Sequence, residues 1–253
     1  MKNKSASNFQ FSIYTVLLPI VFVLMMWLVY WVEVRFHVSL NKYGLQPKKL
    51  IGLRGIFFSP FLHGSLKHLF SNTLPMLILF SGLKYFYTQL SNKVFIIGFI
   101  LSGVFTWLLG EKGSLHIGAS GMVYFLTSFL FFMGIWSRHY RMIALSLAVV
   151  FVYGSLIWGV FPGEEGISWE GHLAGFIAGF IIAFVYRKNT IEKESFEWQK
   201  ETYQEEEDDF LKHFDENGNF IPSSELEKRQ LLDREVFDEI EIKYHFKDDK
   251  QNL

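Results

Sequence analysis

Six separated apolar stretches dominate this chain, at residues 11–31, 69–85, 94–109, 120–136, 142–160 and 171–186, and their central parts contain no Asp, Glu, Lys or Arg. A helix needs about 20 mainly apolar residues to cross the hydrocarbon core of a bilayer, and somewhat fewer where the bilayer thins. Half of the 253 residues are hydrophobic and 18% aromatic, Phe alone contributing 28, more apolar surface than a water-soluble core of this size needs. The expected fold class is therefore an all-α membrane protein, a bundle of six transmembrane helices. The first run is too long for the core of a signal peptide and no small-residue cleavage motif follows it, so it reads as a retained helix. Pro19 lies inside that run and predicts a kink whose freed backbone groups neighbouring helices can satisfy. The second, third, fourth and sixth runs are short. They fit either ordinary spans in a thin bilayer or helices that stop below the surface and admit water.

Charge divides the chain into two regions. Residues 1–188 carry a net charge of +10 and residues 189–253 a net charge of −11, although the whole chain sums to −1. This predicts a cytoplasmic N-terminus over 1–10, a membrane domain over 11–188 and an acidic tail over 189–253. Nucleic acid is not an expected partner of either region, and nothing in the tail names a partner for it. Lys2 and Lys4, Lys84 and Lys93, Arg138 and Arg141, and Arg187 and Lys188 fall on one side of the spans, which places both termini in the cytoplasm. The loop over 32–67 opposes that bias with Lys42, Lys48, Lys49, Arg54 and Lys67. It is also amphipathic, with Ile51, Leu53, Ile56, Phe57, Phe58, Phe61 and Leu62, and is expected to fold partly into the bilayer with its cations on lipid phosphates. In the tail, the acidic block 205–209 is followed by a turn at Asn217, Gly218 and Asn219. A helix is expected from Ser224, which with Glu227 fits a capping box, through Leu226, Leu231, Val236, Phe237 and Ile240 to Glu241.

Ionisable groups at membrane depth are expensive, so His68 and His172 at the mouths of apolar spans are candidates for function. The fourth span opens with Gly118-Ala119-Ser120-Gly121, where the glycines allow a sharp turn and close approach of a substrate to Ser120. The sixth opens with Gly171-His172-Leu173-Ala174-Gly175, and Gly179 follows, giving a smooth helix face that suits close contact with the fourth span. His172 would then take the Ser120 hydroxyl proton and return it to a leaving amine. Tyr124, one turn below Ser120, is placed to brace the imidazole or simply to pack. His68 and Asn72 share a helix face and offer donors to an oxyanion together with the Ser120 N–H, or bond to neighbouring carbonyls. His63, off that face, is placed to support the site from the loop.

The chain has no Cys, and its first Asp is Asp208. An aspartyl dyad and a Ser-His-Asp triad both need an Asp at membrane depth, and the His-Glu-x-x-His zinc motif does not occur. No cofactor and no metal are expected. Serine and histidine remain, without a carboxylate, and the ring must be oriented by packing and hydrogen bonds.

Three motifs, His63-x-x-x-x-His68-x-x-x-Asn72, Gly118-x-Ser120-Gly121 and Gly171-His172-x-x-Gly175, stand in one order across residues 10–188 and resemble the rhomboid family of intramembrane serine proteases. The resemblance implies a rhomboid-like bundle in which Ser120 is the nucleophile, His172 the general base, and His68 with Asn72 part of the oxyanion hole. It also implies a water-filled cavity open to the outer face of a bacterial plasma membrane. Membrane-protein substrates with a transmembrane helix would enter sideways from the lipid and unwind before cleavage. The family often carries Trp-Arg in its first loop; here Leu53-Arg54 stands there, with Arg54 expected to keep a lipid-facing role. A non-catalytic client-binding relative shares all of this except the chemistry at the dyad, and a small transporter with histidines on a proton path is the other alternative.

Overall fold

The computed structural model describes residues 11–137, 143–144, 147–148, 151, 158–162, 168–187, 198, 201–205 and 208–238. The chain divides into two compact units, residues 1–193 and 194–253. The described residues form helices and, in place of strands, only two isolated bridges, Leu45 with His116 and Phe214 with Phe220.

The first unit is built from α1 (Tyr14–Phe36), a short α2 (Gly55–Phe58), α3 (Leu66–Phe86), α4 (Ser91–Leu109), α5 (Ser120–Ser137) and α6 (Trp169–Tyr186). α1, α4 and α6 are each long and apolar enough to cross a membrane. α1 runs through the buried Pro19 and stops where His37 adopts a left-handed conformation and returns its N–H to the Glu33 carbonyl. α3 corrects the expectation of a short second span. It starts at Leu66 because the Ser65 hydroxyl caps it, accepting the His68 N–H at 3.1 Å. Its 21 residues reach about 31 Å at the helical rise. The fifth apolar stretch, 142–160, lies mostly outside the described residues, as do Arg138, Arg141 and Lys188.

The helices share one core. Met26, Leu69, Met76, Leu79, Leu83, Phe125 and Phe129 are fully enclosed, while Leu24, Leu28, Trp31, Ile96 and Val185 face outward. Helices apolar on both faces suit a surrounding that is itself apolar. The first loop winds through single turns at Asn41–Tyr43, Leu50–Arg54 and Ser59–Phe61 on either side of α2. It presents Leu50, Ile51, Phe57 and Phe58 outward and tucks Leu45, Ile56 and Leu62 inward. Arg54 has two partners within the first loop. Its guanidinium lies 4.8 Å from the Tyr43 ring centroid and donates to the Lys42 carbonyl, because one planar group can stack and satisfy a loop carbonyl at once. Lys49 is held by its carbonyl, which accepts the Trp107 indole N–H at 2.8 Å.

The second unit contains α7 (Ser223–Asp238). It starts one residue before the expected cap: the Pro222 carbonyl accepts the N–H groups of Glu225 and Leu226, so Ser224 lies in the first turn. The preceding turn is organised by Asp215, whose carboxylate accepts the N–H groups of Asn217 and Asn219. Ile240 and Glu241 lie outside the described residues.

Candidate active site

α5 and α6 form the most extensive helix pair of the first unit. At Gly175 and Gly179 this contact has no room for a side chain. A Cβ on Gly175 would stand 2.1 Å from the Gly121 carbonyl oxygen, and one on Gly179 would stand 2.4 Å from that of Phe125. Backbone therefore rests on backbone, and the N-terminal ends of the two helices lie side by side.

Ser120 is the first residue of α5 and His172 is in the first turn of α6. The structure brings them together, with Nε2 of His172 2.9 Å from the Ser120 Oγ. Nδ1 of His172 lies 2.8 Å from the Gly159 carbonyl oxygen. A carbonyl only accepts, so the imidazole proton is on Nδ1 and the lone pair of Nε2 receives the Ser120 hydroxyl. Gly159 thus orients the ring where a triad would use a carboxylate. Nothing in the sequence marks this group, since a backbone carbonyl has no residue signature. Tyr124 stacks on the same imidazole, ring centroids 4.2 Å apart and 14° from parallel.

The loop ahead of Ser120 turns at Gly118, whose φ of +103° is a left-handed conformation that disfavours side chains. Its N–H donates to the Ser59 carbonyl at 2.8 Å, fixing this turn to the first loop. A Cβ here would meet the His68 imidazole at 2.6 Å and the Asn72 amide nitrogen at 3.5 Å. His68 and Asn72 therefore flank the approach to Ser120 from α3. The Asn72 amide donates one hydrogen to the His68 carbonyl at 3.0 Å and keeps its second. His63 is buried, its ring centroid 5.1 Å from that of His68 and its Nδ1 3.3 Å from the Phe61 carbonyl.

A cavity of about 40 Å³ adjoins Ser120, lined among others by Ser102, Thr106, His116, Gly118 and Ser168. It exceeds the roughly 10–15 Å³ that one water needs, and its polar walls can hold one. No group of three or more His, Cys, Asp or Glu among the described residues has the geometry to hold a metal ion. The assembled groups are a hydroxyl with an adjacent base, a fixed tautomer and a polar recess, which suit nucleophilic attack on a carbonyl followed by hydrolysis.

Residues 52–189 match the family described as the Rhomboid domain. An uncharacterized protein of Mycobacterium tuberculosis (strain H37Rv) is 38% identical over 174 residues, covering 65% of this chain and 72% of its own length. A second relative, an uncharacterized protein of Mycobacterium leprae (strain TN), is 34% identical over 174 residues, 65% of this chain and 68% of its own.

Proposed function

This chain belongs to the rhomboid family and is an integral membrane protein, and we propose from that premise that it is an intramembrane serine endopeptidase that cuts transmembrane segments of other membrane proteins. The observation that carries the reading is the 2.9 Å contact between Ser120 Oγ and His172 Nε2, with the opposite ring nitrogen held by Gly159.

In this reading Ser120 Oγ attacks the scissile carbonyl carbon while its proton passes to Nε2 of His172. The developing oxyanion is met by the Ser120 N–H, a first-turn donor free of helical bonding, and by the side chains of His68 and Asn72. His172 then returns the proton to the leaving amine, and an acyl-enzyme remains on Ser120. Water enters, gives a proton to Nε2 and adds to the acyl carbon; the bond to Ser120 Oγ then breaks, Nε2 returns the proton to that oxygen, and the new carboxyl end leaves. Tyr124 keeps the imidazole plane in place through both steps, and His63 supports His68 from the loop. The substrate is a helix in the same bilayer that unwinds at the cut, since a helical carbonyl is bonded and shielded. Both termini are cytoplasmic and the membrane is a bacterial plasma membrane; the partners are membrane-protein substrates and lipid, with no nucleic acid.

The test is labelling of purified protein in detergent by a fluorophosphonate, together with cleavage of a membrane substrate, wild type against Ser120→Ala. Label and cleavage are both expected to vanish in the variant. Undiminished cleavage by folded Ser120→Ala would remove the proposal, and an unlabelled wild type that still captures clients would favour the client-binding alternative.

A further inference from the structure

The loop before Ser120 and the segment before His172 are joined through one buried side chain. His116 is 6% exposed. Its Nε2 lies 2.8 Å from the Ser114 Oγ, and its Nδ1 is in contact with the Ser168 Oγ. Its backbone is tied as well, exchanging both hydrogen bonds with Leu45 of the first loop at 2.9 and 3.0 Å.

The protons of this chain can be assigned. The Ser114 hydroxyl donates to the Glu111 carbonyl at 2.7 Å, so its oxygen receives the Nε2–H of His116. Burial holds His116 below the ordinary imidazole range, with Glu170 opposing, and a neutral ring has one N–H. Nδ1 is then an acceptor, and the Ser168 hydroxyl donates a hydrogen bond to it. Ser168 stands at the N-terminal boundary of α6, yet its side chain caps no backbone N–H; instead its carbonyl accepts the His172 N–H at 3.1 Å.

We infer that His116 is a positioning residue that sets the axial register between Ser120 and His172. The glycine contact fixes how far apart α5 and α6 lie, and the Ser128 hydroxyl, donating to the Phe176 carbonyl at 2.8 Å, ties the two helices together beyond the dyad. The link from Leu45 through His116 and Ser168 to the His172 N–H ties the N-terminal ends, where Ser120 and His172 meet. It deepens the protease reading and rests on it for its kinetic consequence, because a shift of about 1 Å between nucleophile and base costs up to about a hundredfold in rate.

The experiment measures kcat and KM of the full chain in detergent for His116→Leu, Ser168→Ala, the double variant and Ser168→Thr, with hydrogen exchange on each. Each of the first two is expected to lower kcat about tenfold and leave KM within twofold. The double variant should be no slower than the worse single, since both break one link, and Ser168→Thr, which keeps the hydroxyl, should retain wild-type kcat. Exchange should quicken at 111–119 and 168–172 together. Unchanged kcat, additive losses, or exchange that changes on only one side would overturn the inference. If wild type and Ser120→Ala are equally inactive, the protease reading fails instead, and the exchange comparison still decides the link. Should His116→Leu not fold, Ser168→Ala carries the test.

Discussion

The phenol ring of Tyr124 lies flat against the imidazole of His172, 4.2 Å between centroids and 14° from parallel. Stacking of this kind fixes a plane without fixing charge. Tyr124→Phe keeps the ring and should hold kcat within about threefold, whereas Tyr124→Leu should lose about tenfold or more with little change in KM. Steady-state cleavage by the two variants checks this, and equal rates would show that the stack does not matter.

A methyl at Gly175 has nowhere to go, being 2.1 Å from a carbonyl oxygen that belongs to a helix. Gly175→Ala should force α5 and α6 apart, at a cost of about 1–3 kcal/mol. The expected outcome is a lowered melting temperature in detergent and a loss of cleavage of about a hundredfold or more. Retained activity would mean that the pair tolerates separation.

Asn72 faces Gly118, and its amide keeps one uncommitted hydrogen. If that hydrogen meets charge that appears only in the transition state, Asn72→Ala lowers kcat by about a hundredfold and spares KM. A rise in KM alone would assign Asn72 to substrate binding.

Arg54 stacks on Tyr43 and donates to the Lys42 carbonyl. Arg54→Ala should destabilise the first loop by about 1–2 kcal/mol, read as earlier thermal unfolding. Arg54→Lys should not restore it, because an ammonium cannot stack and fork in one plane.

What was legible in the sequence followed from side-chain type and spacing. The glycines at intervals of four in α6 placed its contact face, and the four-residue spacing put Ser120 and Tyr124 on one face of α5, where Tyr124 now meets His172. What was missed lay in the backbone or at boundaries. Hydropathy started the second span at Leu69 because Lys67 and His68 look polar, although Ser65 three residues before His68 was a usable cap signal. The helix in the tail starts at Ser223, ahead of the expected Ser224 cap, because the Pro222 carbonyl takes the first helical bonds. The partners of Arg54 within the loop are visible only in the fold, which brings Tyr43 and Lys42 within its reach.

The acceptor for His172 Nδ1 is the carbonyl of Gly159, and every amino acid carries one. Alanine scanning is therefore blind to the group that holds the base in its working tautomer. A substitution at 159 that leaves the path of the chain intact keeps the acceptor, so this part of the site is proof against most point mutations and exposed to insertions or deletions that move the segment. Its removal calls for a change of the backbone itself, such as a thioamide at that position, which would weaken the acceptor while leaving every side chain in place.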